Sequence, residues 1–95
     1  MYELTGFQRD LLYILAGLGQ SSGQEIKAEL EAEFDVEVNH GRLYPNLDEL
    51  IDKSLVKKGH RDRRTNDYEL TDSGEQCLVE RRRWEDAQVN HLIAA

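Results

Sequence analysis

The chain has 95 residues, 39% hydrophobic and 33% charged, with seven glycines, one proline, one cysteine and a formal net charge of −7. That length fits about one small domain that buries roughly 60–65% of its unfolded surface, and the composition excludes collagen, proline-rich disorder and low-complexity sequence. The best apolar run, Leu11 to Ala16, is too short for a membrane span or a secretory segment, which predicts a soluble cytoplasmic protein. A lone Cys77 excludes an internal disulfide and a thiolate-rich zinc site.

The first predicted helix runs from about Gly6 to Leu18. Thr5 opens it with Gln8 three residues on, a capping-box spacing, and Phe7, Leu11, Leu12, Ile14, Leu15 and Leu18 form one broad buried stripe. Ser22 and Glu25 repeat the capping signal for a second helix to about Phe34, with Ile26, Leu30 and Phe34 as its buried face and Glu29, Glu31 and Glu33 solvated. The connection Gly19–Ser21 reads as a short loop, so these helices are neighbours. Asn39 caps a third helix from about His40 to Lys53, whose core positions are Leu43, Leu47, Leu50 and Ile51. Pro45 lies inside it, where a missing backbone donor bends or loosens the first turns without ending the helix.

After that helix, Val56 and the alternating Tyr68 and Leu70 read as two short strands, with charged residues between them as an exposed hairpin tip. Thr71 or Asp72 caps a last helix reaching His91 or beyond. Its apolar positions, Cys77, Leu78, Trp84, Val89, Leu92 and Ile93, are too sparse for one small core, so part of it projects and pairs with a second copy. The expected fold class is mainly α with a small β-hairpin: a winged helix-turn-helix in residues 1–71 and a C-terminal dimerisation helix in 72–95.

Charge is unevenly spread. Residues 1–38 carry eight acids and two bases, whereas residues 53–64 carry six bases (Lys53, Lys57, Lys58, Arg61, Arg63, Arg64) against Asp62 alone. By itself such a run is a solvated loop, but three helices followed by a hairpin is the winged helix-turn-helix order, in which one helix enters the DNA major groove and the wing sets cations on the adjacent backbone or in the minor groove. The third helix opens with Asn39, His40, Gly41, Arg42, Tyr44 and Asn46, all without negative charge, and its acids Asp48, Glu49 and Asp52 fall in the second half.

The segment Asn39-His40-Gly41-Arg42-Leu43-Tyr44-Pro45-Asn46-Leu47-Asp48-Glu49-Leu50, followed by Lys53-Ser54-Leu55-Val56, resembles the signature of PadR-type transcriptional regulators. So does Tyr68-Glu69-Leu70-Thr71-Asp72-Ser73-Gly74, and the resemblance covers about residues 4–80. Ser54 stands where that pattern has glycine. The resemblance implies a homodimeric, sequence-specific DNA-binding regulator on a pseudo-palindromic operator, with the last helix serving dimerisation. Nineteen acids, and only four lysines among twelve bases, also resemble haloarchaeal members of the family, which implies a stress-responsive role in a high-salt cytoplasm. In molar salt the screening length falls to roughly 3 Å, so base-edge contacts and shape carry more of the affinity than phosphate pairing does.

The candidate DNA contacts are therefore Asn39, His40, Gly41, Arg42, Tyr44 and Asn46 on the third helix, Lys57, Lys58, Arg61, Arg63 and Arg64 on the wing, and Ser21, Ser22 and Gln24 at the second helix's start. Each has a plainer role beside it: Asn39 as an N-cap alone, Tyr44 packed on Pro45, the wing cations as solvated charge. The candidate dimer contacts are Leu78, Trp84, Val89 and Leu92. Arg81-Arg82-Arg83 are expected to pair with Glu80, Glu85 and Asp86, and Cys77 to be inert filling in preference to a redox switch. His40, His60 and His91 have no metal-ligand spacing, and no Ser/His/Asp set or phosphate loop points to an enzyme. Neither a metal nor a cofactor is expected. The competing class is a winged-helix module that binds protein instead of DNA.

Overall fold

Hydrophobic spacing and caps translate directly into elements. A computed structural model describes residues 3–93; the outermost two residues at each end, including the start of the 1–71 unit and the end of the 72–95 unit, lie outside it. Helix α1 (Gly6–Leu18) opens on the anticipated capping box, with the Gln8 amide donating to Thr5 Oγ1 at 3.1 Å and the Thr5 amide donating to Gln8 Oε1 at 3.2 Å. Helix α2 (Gly23–Phe34) opens in the same way on Ser22 and Glu25. Helix α3 (His40–Asp52) is capped by Asn39, whose Oδ1 accepts from the Arg42 amide at 2.8 Å, and it continues through Pro45.

Leu11, Leu12 and Leu15 of α1, Ile26 and Leu30 of α2, and Leu43, Leu47 and Leu50 of α3 form one buried cluster with Leu4, Val38, Val56, Tyr68 and Leu78. Two residues expected to be buried are not part of it: Leu18, at the end of α1, is 40% exposed, and Phe34 is exposed as well. Helix α2 ends at Asp35 in the left-handed region (φ 51°), which turns Phe34 outward to 48% exposure. Val38 fills that place instead, its amide donating to Glu31 Oε2 at 2.9 Å, so Glu31 is half-buried and not simply solvated.

The expected hairpin is part of a three-stranded antiparallel sheet. Strand β1 (Ser21–Ser22), read from the sequence as the end of a loop and a cap, pairs with β3 (Asn66–Leu70), which pairs with β2 (Val56–His60). Both long strands extend further into the charged segment than anticipated, leaving Arg61–Thr65 as the tip. The ladder is carried by backbone bonds, so it does not need an apolar side chain at each step. Ser54, which stands where the resemblance expected glycine, has φ 61°, a region glycine occupies without strain.

Helix α4 (Asp72–Ile93) begins by packing on the turn after α3. A Cβ at Gly74 would lie 2.1 Å from the Leu55 carbonyl oxygen, so no larger residue fits there. Leu78 is 7% exposed and belongs to the core, which removes it from any free dimer face and corrects that expectation. Beyond it the helix projects, contributing to a molecule 51 Å in its longest dimension. Tyr13 of α1 donates to Glu85 Oε1 at 3.1 Å, while Trp84 and Leu92 are 53% and 68% exposed.

Candidate nucleic-acid interface

The start of α3 has a free backbone dipole. Its first turn contains no acid, so the positive end of the helix is opposed only by the Asn39 cap. Asn39, His40, Gly41 and Arg42 are all exposed. Arg42 lies over the Phe7 ring, 4.0 Å from the ring centre, which holds the guanidinium at the helix surface without neutralising it. His40 and Tyr44 meet edge to face at 5.5 Å, and Gln24 reaches to 3.5 Å from His40 Nε2. These contacts form a continuous polar edge across the starts of α2 and α3.

Two of the expected contacts have internal partners. Asn46 is half-buried: its Oδ1 accepts from Gln8 Nε2 at 3.0 Å and its Nδ2 donates to the Arg42 carbonyl at 2.7 Å. Gln8, 3% exposed, joins α1 to α3 through this bond and a second one to Glu49. Tyr44 packs over the first residue of α2, where a Cβ on Gly23 would lie 2.3 Å from its hydroxyl oxygen. Gly23 carries no local signal, because its small size is set by a ring twenty-one positions away.

The start of α2 differs from that of α3. Ser21 and Ser22 are 2% and 6% exposed; Ser21 donates to the Gly19 carbonyl, and Ser22 Oγ accepts from the Glu25 amide. Both hydroxyls lie inside the fold, which corrects their placement among surface contacts; of the three residues proposed at this end, only Gln24 is exposed. Glu25 already occupies the positive end of α2. The Ser22 amide, and then Arg61, hold its carboxyl down at about 2.

The wing tip is a turn built by Asp62. Its Oδ1 accepts from the Arg64 amide at 2.8 Å and the Thr65 amide at 2.9 Å, and these amides keep the carboxyl below its usual range. Arg63 and Arg64 consequently stand exposed at the tip with no ion pair among the described residues. Lys57 and Lys58 are both exposed; Lys57 lies 3.6 Å from Glu69, its partner across the ladder, and Lys58 has no ion pair among the described residues. Arg61 is placed quite differently, with Nη2 at 2.7 Å from Glu25 and 3.0 Å from Asp67. A cleft of about 500 Å³ lies between the wing and the helices, lined by Gln24, Tyr44, Arg61, Arg64 and Asn66 among others.

On α4, Arg81 pairs with Glu85 and Arg82 with Asp86, whereas Glu80 accepts from Gln76 and no ion pair involves Arg83 among the described residues. Cys77 is half-buried with a free thiol. Among the described residues no helix is long and apolar enough to cross a membrane, and no group of three or more His, Cys, Asp or Glu is arranged to hold a metal ion.

The fold agrees with comparisons to known proteins. RosR from H. salinarum is 46% identical, with a TM-score of 0.85 over 90% of this chain and 77% of that one. F93 from STIV, described as a winged-helix DNA-binding protein, shares the fold at 23% identity and a TM-score of 0.74, over 90% of this chain and 91% of that one. A MarR variant from E. coli complexed with operator DNA shares it at 23% identity and a TM-score of 0.71, over 83% of this chain and 54% of that one. No curated protein matches. The profile of the transcriptional regulator PadR-like family matches residues 11–80, most of the chain, and the chain belongs to that family of transcriptional regulators.

Proposed function

We propose that this regulator binds double-stranded DNA in a sequence-specific manner through the start of α3 and the wing, as a homodimer in the cytoplasm. The observation that carries this reading is the acid-free first turn of α3, with Arg63 and Arg64 exposed at the wing tip and Arg64 lining a cleft with Tyr44 of α3, on a protein whose net charge is −7. Cations concentrated on one edge of an anionic body orient the molecule toward a duplex. In this reading His40, Gly41 and Arg42 face the groove, with Asn39 and Tyr44 beside them. Lys57, Lys58, Arg63 and Arg64 lie against the phosphate backbone or in the minor groove. Residues 1–71 are the DNA-binding unit and residues 72–95 the dimerisation helix, whose exposed Trp84, Val89 and Leu92 supply the apolar face. Such a dimer binds half-sites separated by about one helical turn, roughly 34 Å, or a multiple of it.

The test is fluorescence anisotropy with a labelled genomic duplex carrying the operator, in concentrated potassium chloride. Binding by the native chain, and its loss in the double variant Arg63→Glu with Arg64→Glu, is the expected result. A native chain that ignores every duplex at all salt concentrations contradicts the reading.

A further inference from the structure

Arg61 lies in the most cationic stretch of the sequence, and although 45% of its side chain is exposed its guanidinium is paired with two carboxylates. Nη2 sits 2.7 Å from Glu25 Oε1 at the start of α2 and 3.0 Å from Asp67 Oδ1 in the middle strand of the sheet. The Asp67 side chain is 6% exposed, and its other oxygen accepts from Gln20 Nε2 at 3.0 Å. Asp67 Oδ1 is buried and accepts no hydrogen bond among the described residues, and the Arg61 guanidinium is its ion-pair partner. A buried carboxylate is tolerated when a counter-charge and hydrogen-bond donors meet it, so Arg61 answers a need inside the fold. The same residue closes the wing turn, its amide donating to the Thr65 carbonyl at 2.8 Å. One side chain thus connects three places: the base of the turn carrying Arg63 and Arg64, the central strand, and the first turn of α2.

We propose that Arg61 is a positioning residue, a clamp that fixes the angle of the wing to the helices, and that it does not contact phosphate. The clamp rests on the DNA-binding reading above for its consequence, but it exists in the free protein and is measurable there. With two acids on one guanidinium the local charge is already net negative, so a phosphate is repelled from this spot and drawn to the tip. Free of the clamp, the two-stranded wing swings on its base and Arg63 and Arg64 sample many positions before binding, which lowers affinity without removing a contact.

Two measurements separate the clamp from a direct contact. Hydrogen–deuterium exchange on the DNA-free protein is expected to show amides of residues 57–69 exchanging at least ~10-fold faster in Arg61→Gln, with rescue toward the native rate in Arg61→Lys. The dependence of the DNA binding constant on salt is expected to keep its native log–log slope in Arg61→Gln, whereas Arg63→Gln or Arg64→Gln each change it by about 0.9. Native exchange rates in Arg61→Gln, or a slope altered by about one unit there, overturn the proposal. Should Arg61→Gln not fold, Glu25→Gln at the exposed side of the bridge is the second variant: faster wing exchange supports the clamp, and unchanged exchange overturns it. A native chain that binds no duplex removes the DNA-binding reading while the exchange data still decide the clamp.

Discussion

Helices α2 and α3 start close together on one face, each behind a polar N-cap, and yet only one of them has a first turn free of acid. In α2 the cap is the buried Ser22 and the first turn carries its own acid, Glu25, which Arg61 holds in place. In α3 the cap is the exposed Asn39 and the first turn has no acid. Both helix starts read as anion sites from sequence alone, because caps and dipoles are common to all helices. What distinguishes them is whether the fold supplies the counter-charge itself.

The largest expected break in that contrast is in DNA affinity. Arg42→Glu, at the start of α3, is expected to weaken a measured complex by ~100-fold, about 2.7 kcal/mol. Gln24→Glu, at the start of α2, introduces the same sign of charge beside an end that already has its acid, and is expected to cost no more than ~5-fold. Equal losses would show that the two helix starts are not different. The second effect is on stability, and it runs the other way. Ser22→Ala removes a buried cap and is expected to cost about 1–2 kcal/mol, whereas Asn39→Ala removes an exposed one and costs about 0.5–1 kcal/mol in thermal or denaturant unfolding.

Acid titration sharpens the same comparison. Glu25 is held at about 2, below its ordinary value of 4.5, so its contribution is fully present above about 4.5 and is lost as pH falls through about 2. Stability is expected to decline across that window, and Glu25→Gln to reduce the decline. An unchanged acid profile in Glu25→Gln would mean that the Ser22 amide and Arg61 together do nothing for the fold through this carboxylate.

The smallest expected effect is at the other ends of the two helices, which both leave through a non-glycine residue in the left-handed region, Asp35 at φ 51° and Ser54 at φ 61°. Aspartate tolerates that region better than serine does. Ser54→Gly is therefore expected to stabilise by about 0.5–1 kcal/mol, and Asp35→Gly by less, by chemical denaturation.

The readable parts of this protein were those set by local rules. Thr5 with Gln8, Ser22 with Glu25, and the leucine spacing of α1 and α3 each declare a helix within a few residues, and Leu-Tyr-Pro with Tyr-Xaa-Leu-Thr-Xaa-Xaa-Gly carries the family. The turn after α3 even shows why the family pattern has glycine at position 54 and why Gly74 must stay small. The parts that escaped depend on partners far along the chain. Ser21 and Ser22 form a strand only because Tyr68 and Asp67 lie opposite. Leu78 shares the spacing of the exposed apolar residues of α4 but sits where α4 still touches the core. Asn46 turned out to be bonded to Gln8, and Arg61 to Glu25, across 38 and 36 positions of sequence. Charge density read along the chain cannot show which cation has already been neutralised in space.

The most direct test is a titration of the isotopically labelled protein with operator duplex, followed residue by residue through its amide NMR signals. Perturbations centred on residues 39–44 and 61–65, with the distal part of α4 little changed, are the expected result. Signals moving chiefly on α1 and the far half of α4 while the start of α3 stays still would contradict it.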